Sequence, residues 1–146
     1  MKKLAIDLSY NPHGGAINQV IMIIKYLSNY DFDKIIIYTN YSYKEYFNKV
    51  DTKNLEIKYI SFISSSLILR IMWQQLILPF LLIKDKIYLI FCPGNISPIF
   101  CFVKKCQWIG TIGPFETQFY KNFNFGGKIK LLLNKIIIIL SSYTSN

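Results

Sequence analysis

The chain has 146 residues, 52% of them hydrophobic and 17% charged, with 17 Lys and Arg against 8 Asp and Glu for a net charge near +9. Disorder needs far lower hydrophobicity, and a collagen or linker far more Gly and Pro than 7 and 5, so one globular domain spanning residues 1–146 is expected. A chain of this length buries a core without needing disulfides or a structural metal.

Lys3 to Leu8 is a short apolar run that gives way to Ser9, Tyr10, Asn11, Pro12, His13, Gly14 and Gly15, which predicts a strand and a glycine-containing loop. Ile17, Val20, Ile21, Ile24 and Leu27 then recur at helical spacing. Lys34 to Thr39 reads as a buried strand, Tyr43 to Val50 as a short helix, Leu55 to Ile60 as an alternating strand, and Ser64 to Ser66 as the N-cap of the next helix. That helix, Leu67 toward Lys84, is apolar almost all round and is expected to be buried and to kink at Pro79. A fourth strand over Ile87 to Cys92, a short helix over Ser97 to Val103, a fifth strand over Gln107 to Ile112 and a helix over Lys128 to Tyr143 complete the series. Strands alternating with helices predict an α/β fold, a Rossmann-like doubly wound parallel sheet covered on both faces.

Cys92, Cys101 and Cys106 are odd in number and lack C-x-x-C spacing, and there is one His, so neither a disulfide framework nor a zinc site is expected. Met1-Lys2-Lys3 precedes only a short apolar run broken at Asp7, unlike a secretory signal, which predicts a cytoplasmic protein. The longest apolar stretch, Leu67 to Ile83, contains Arg70, Gln74, Gln75 and Pro79 and falls short of the ~20 clean residues of a membrane span.

In a doubly wound sheet ligands bind beyond the carboxyl ends of the strands. The loop ending in His13, Gly14 and Gly15 lies between the first strand and helix, where backbone amides face an anion and Gly permits close approach; a plain tight turn is the alternative. It is neither G-x-G-x-x-G nor a Walker loop, which disfavours a dinucleotide cofactor or P-loop. His13 either meets a phosphate or a proton, or is an idle loop residue. Arg70, the one arginine, needs a carboxylate, carbonyl or phosphate partner, with an internal salt bridge the leading expectation. Glu116 is either a base or sugar ligand or an ordinary helix-start acid. No Ser-His-Asp set, carboxylate pair or metal cluster can be assembled. The lysines, including Lys104, Lys105, Lys128, Lys130 and Lys135, come without a nucleic-acid-binding signature and suit an anionic membrane surface better. On the last helix Ile129, Leu132, Leu133, Ile136, Ile137 and Leu140 form the expected main stripe, with Leu131 and Ile138 as a second one wanting a partner.

Three segments resemble the N-terminal domain of GT-B retaining glycosyltransferases, which transfer sugars from nucleotide donors. They are Pro12-His13-Gly14-Gly15; Arg70-x-x-Trp73-Gln74-Gln75-x-x-Leu78-Pro79 with Ile90-Phe91-Cys92-Pro93-Gly94-Asn95-Ile96-Ser97-Pro98; and Trp108 to Phe115. The second is similar to a common Arg-x-x-Trp-Glu-Gln-x-x-Leu-Pro helix and is the most specific. Gly110-Thr111 stands where many members carry His-Asp, so the role of that active-site His has no counterpart here.

The resemblance implies that His13, Gly14 and Gly15 border the donor diphosphate and that Gly94, Asn95, Gly113 and Glu116 face the acceptor. It implies no cofactor beyond the nucleotide-sugar substrate and a glycan or lipid-linked acceptor in cell-surface polysaccharide assembly, while the residues themselves predict no metal and the basic excess suits a cytoplasmic protein peripheral on the inner face of the plasma membrane. Members continue into a donor-binding domain with a Glu-x7-Glu motif, so these residues are expected to be an N-terminal fragment, inactive alone. The rival expectation is a non-catalytic membrane-surface or partner-binding Rossmann-like module.

Overall fold

The β-branched runs pair side by side, because residues buried on both faces fit only a parallel sheet with helices above and below. The computed structural model describes residues 1–10, 14–61, 66–110 and 113–145. Strands β1 (Lys3–Asp7), β2 (Lys34–Thr39), β3 (Leu55–Tyr59), β4 (Leu89–Cys92) and β5 (Lys104–Gln107) form one all-parallel sheet in the order β3-β2-β1-β4-β5. This is the doubly wound, Rossmann-like α/β architecture, with Ala5 of β1 opposite Ile36 of β2 on one side and Ile90 of β4 on the other.

Strand alternation divides the core in two. Leu4, Ile6, Leu8, Ile35 and Ile37 face Ile17, Val20 and Ile24 of α1 (Gly15–Leu27) and Phe47 of α2 (Lys44–Phe47). Ala5, Ile36, Tyr38, Ile90 and Cys92 face the opposite layer, where Trp73, Leu78 and Leu82 pack. That layer is one long helical segment made of α3 (Leu67–Met72), a π-helical turn (Trp73–Ile77) and α4 (Leu78–Lys84). Ser66 caps it, its hydroxyl accepting from the Ile68 amide at 3.2 Å, while Ser64 and Ser65 lie outside the described residues. The expected kink takes the form of the π turn: the Leu78 amide donates to the Trp73 carbonyl, five residues back, just before Pro79, whose ring would clash with the Gln75 carbonyl in a regular helix. The segment ends in a Schellman motif, with Lys86 N–H to Ile83 O and Ile87 N–H to Leu82 O, and places Lys86 at φ +54°.

Asp85, just beyond α4, ties three strands together. Burial alone would raise its carboxyl, but hydrogen bonds from Lys58 Nζ and Tyr38 Oη, both at 2.5 Å, hold it below its ordinary value. Lys3 Nζ donates to its carbonyl at 3.0 Å.

The C-terminal third departs from expectation. The fifth strand lies earlier than Gln107 to Ile112, at Lys104–Gln107, and Thr111 and Ile112 lie outside the described residues. No helix forms over residues 97–103, because side chains take its backbone groups: Gln75 Nε2 donates to Ser97 O at 3.2 Å, Ile99 N–H to Gln75 Oε1 at 2.8 Å, and Lys105 Nζ to Pro98 O at 2.7 Å. A short α5 (Thr117–Lys121) precedes α6 (Phe125–Tyr143), which starts three residues earlier than the periodicity predicts because Asn124 accepts from the Gly127 amide at 2.9 Å.

On α6 the inner face is the expected minor one. Ile138 and Ser141 are buried, whereas Ile129, Leu132, Leu133, Ile136 and Leu140 point outward. Nor is the long helix buried all round, since Ile68, Met72, Leu76, Phe80 and Ile83 are exposed. No helix among the described residues is long and apolar enough to cross a membrane.

Lys105 sets the position of α6. Only 2% exposed, it points its ammonium at the C-terminal end of α6, donating to Ser141 O at 2.9 Å and Thr144 Oγ1 at 2.6 Å besides Pro98 O. It is therefore not available to a lipid surface, contrary to the sequence expectation. Burial pulls its pKa down, and the three oxygens satisfy its donors at the negative end of the helix dipole. Lys105→Met keeps the length but orphans these acceptors, and is expected to cost about 2–3 kcal/mol. A urea-unfolding midpoint shift, with faster amide exchange confined to residues 138–145, is the signature to measure.

Candidate functional site

With the order β3-β2-β1-β4-β5, successive strands are added outward from β1 first on one side and then, from β4, on the other, and crevices of such sheets open at that reversal of winding, beyond the strand ends. The residues that shape this crevice are set by one buried acid. Asp7, the last residue of β1, is 2% exposed and faces the α3–α4 layer. Its carboxylate accepts from the Ser9 amide at 2.9 Å and from Gln74 Nε2. Burial pushes its pKa up, opposed in turn by Ser9, Gln74 and the charge of Arg70.

The helix motif singled out in the sequence builds the rest. Trp73 is buried with its ring 6.0 Å from Tyr38. Gln74 Nε2, besides meeting Asp7, donates to Ile96 O at 3.0 Å, and Gln75 holds both Ser97 O and Ile99 N–H. The two neighbouring amides thus grip the loop that follows β4. Successive residues of an α-helix diverge by about 100°, and the wider π turn over Trp73–Ile77 narrows that angle. Arg70 resolves to a carbonyl partner rather than the expected ion pair, Nη1 donating to Tyr10 O at 2.9 Å, with Asp7 near enough to act on it electrostatically.

The loop after β4 is then sewn to the segment after β5. Asn95, at φ +66°, accepts at Oδ1 from the Gly110 amide at 2.6 Å, and its carbonyl accepts from Gln107 Nε2. Trp108 N–H donates to Cys92 O at 3.0 Å and Asn95 N–H to Trp108 O at 3.3 Å, which carries strand-like pairing past the ends of β4 and β5. Left-handed backbone is tolerated by Asn because its short amide bonds locally. Gly94 lies beneath the Tyr10 ring, where a Cβ would fall 2.3 Å from Tyr10 Cδ1, so no larger residue fits. Burial pushes the Tyr10 phenol up to about 12, keeping it a neutral hydroxyl.

These contacts leave a cleft of about 320 Å³ lined by Tyr10, Ala16, Gln19, Asn95, Trp108 and Gly110. One wall is the start of α1. Its N-cap, Gly14 at φ +56°, supplies no side-chain hydrogen bond and the first turn contains no acid, and Ala16 and Gln19 of the helix line the cleft. The other wall presents an indole, a phenol and a carboxamide, the combination that stacks on and hydrogen-bonds a sugar or nucleoside. A smaller hollow of about 180 Å³ adjoins it, lined by Arg70, Gly94, Asn95, Pro114 and Asn134 among others. Among the described residues no group of three His, Cys, Asp or Glu is placed to hold a metal ion.

Of the residues expected at the site, Asn95 lines the cleft, while Gly14 and Gly15 stand at the start of α1 beside the lining residue Ala16 and are not themselves part of the lining. Gly94 is beneath Tyr10, lining the smaller hollow. Gly113 opens a 3-10 turn, Gly113–Phe115, whose Pro114 borders the smaller hollow, while Glu116 lines neither. His13 lies outside the described residues. Sequence reasoning missed Tyr10, Gln19 and the Asp7–Gln74 pair. The visible signal for the pair was an acid ending an apolar strand.

The pair makes a sign-definite prediction. Gln74→Glu sets a second carboxyl against Asp7, so one of the two acquires a pKa above its unfolded value. The variant's deficit is then small in acid, where both are protonated, and grows as pH rises through that folded pKa, reaching about 3 kcal/mol or more at neutral pH. Combining it with Asp7→Asn, which restores a donor–acceptor pair, should recover part of the loss; melting temperature against pH for the three proteins measures this. No protein-family profile, characterised protein or solved structure matches the chain.

Proposed function

We propose that this domain is the acceptor-side, N-terminal domain of a nucleotide-sugar-dependent glycosyltransferase of GT-B architecture, acting in assembly of a cell-surface polysaccharide or lipid-linked glycan. The observation that carries the proposal is the cleft at the β1/β4 reversal. There Ala16 and Gln19, near the start of α1, share one opening with Tyr10, Asn95 and Trp108. The first-turn amides of α1 would stabilise the negative charge that builds on a departing nucleoside diphosphate, as fixed dipoles do at developing anions. Trp108 and Tyr10 would offer ring faces to a sugar, and Asn95, held rigid by the Gly110 amide, a polar edge. On this proposal the nucleotide is gripped mainly by a second domain, and transfer takes place between the two.

The Arg70 to Pro79 helix supports the proposal in a different way. Its Arg and Gln positions hold the loops at the crevice and its Trp packs on Tyr38 of the sheet, which gives that motif a physical reason. A second possibility, a non-catalytic membrane-surface module, is favoured by the apolar outward face of α6 and the basic excess.

Two measurements test the first proposal. Purified residues 1–146 should transfer no sugar from any nucleotide sugar, and robust turnover would overturn the two-domain scheme. In a chain joined to a related donor-binding domain, Gly15→Val should lower transfer at least about tenfold, equivalent to about 1.4 kcal/mol of transition-state stabilisation. Melting temperature should stay nearly unchanged, since a Cβ at Gly15 meets nothing within 4 Å. A variant of full activity would remove the start of α1 from the active site.

A further inference from the structure

The outward face of α6 is built in a way that neither the core nor the cleft explains. Ile129, Leu132, Leu133, Ile136 and Leu140 are between 43% and 53% exposed, and they fall on one line of the helix. At about 100° per residue, Lys128 and Lys135 lie about 100° to one side of that line and Lys130 about as far to the other. Ile138 and Ser141 occupy the opposite, buried face, so the apolar line points directly away from the sheet. Not one Asp or Glu occurs between Thr117 and Asn146, nor between Ile57 and Lys84. A groove of about 320 Å³ lined by Ile68, Ile71, Leu133 and Ile137 joins α6 to α3, whose Ile68 and Met72 are also exposed. The result is an apolar surface on two helices whose own stretches of chain carry cations and no acid.

We propose that the α6 face, together with the exposed side of α3, is the seat of an anionic lipid bilayer. The charge pattern selects this occupant. A second copy of the chain would bring Lys128, Lys130 and Lys135 against their own counterparts with no acid to offset them. A bilayer receives the apolar line into the boundary of its acyl chains, while lysines on both flanks extend along the surface to reach lipid phosphates. The helix then lies in the plane of the membrane, with the sheet on its far side. The inference rests on the membrane of the second possibility above and gives it a defined face; it holds equally for a transferase domain that receives a lipid-linked acceptor.

The test uses residues 1–146 and sedimentation with vesicles of phosphatidylcholine, with and without phosphatidylglycerol. The wild type should bind only the anionic vesicles and release at high salt. Leu133→Asp combined with Ile136→Asp, and separately Lys128→Gln, Lys130→Gln and Lys135→Gln together, should each weaken binding at least about tenfold. A triple change of Lys25, Lys49 and Lys53 to Gln, on the α1 and α2 side, should leave it within about twofold. Of the six lysines, five are exposed and only Lys135 is half-buried, its ammonium over the Phe115 ring, so nearly unchanged circular dichroism and urea midpoints are expected, and amide exchange should slow over α6 on vesicle binding. Equal weakening by the two lysine triples would overturn the face while leaving membrane binding standing. A wild type that binds neither vesicle would overturn both. Concentration-dependent dimerisation abolished by the α6 changes would overturn the lipid in favour of a second copy.

Discussion

A carboxylate at the inner end of β1 is the constraint around which this domain is arranged. Asp7 ends a strand buried on both faces, where an acid survives only with donors aimed at it. The Ser9 amide supplies one, which bends the chain immediately after β1. Gln74 supplies another and so fixes how the long helix lies across the sheet. Once Gln74 is in place, its neighbour Gln75 reaches the backbone of the loop after β4, and the π turn between Trp73 and Ile77 lets both amides work on the same side. Arg70, one turn earlier, completes the arrangement by holding the Tyr10 carbonyl. One buried charge thereby determines the paths of the loops after β1 and after β4, the two that border the crevice.

The same chain of contacts separates what shapes the cleft from what lines it. Asp7, Gln74, Gln75 and Arg70 are occupied by one another and by backbone, which makes them positioning residues. The side chains that meet the opening are Tyr10, Gln19, Asn95 and Trp108. None of these is a strong base or nucleophile, so the surface is suited to holding and orienting a polar, ring-containing molecule. Chemistry would then come from fixed dipoles at the start of α1 or from groups supplied across the opening.

Local pattern was enough for the first four strands, for α1 and for the Ser66 cap, because in those segments apolar residues recur with a single period and turn residues bracket them. β5 was misplaced for a physical reason. Its sequence, Lys104-Lys105-Cys106-Gln107, has no apolar alternation, and its buried position is filled by a lysine two of whose three acceptors, Ser141 and Thr144, are distant in sequence. On α6 the period was plain but its direction was not, since the apolar line faces outward and the inner face carries Ser141 and Asn134 beside Ile138. At the site, Asn95 could be inferred from its place just after a strand end. Tyr10 and Gln19 could not, because only the paths of neighbouring loops bring them to the opening, and those paths depend on Arg70 and Gln74, sixty and more residues away.

Tyr10 resting on Gly94 has a consequence for how this sequence can drift. The ring occupies the space that any Cβ at position 94 would need, so the two residues, more than eighty positions apart, behave as a single unit of volume. A substitution at 94 is open only to chains that have first given up the aromatic at 10 and let the Cβ there, which would stand 2.8 Å away, draw back. Among descendants of this sequence the two positions should therefore change together or not at all, and the order of the two steps is prescribed: the side chain at 10 must shrink before the backbone at 94 can acquire one.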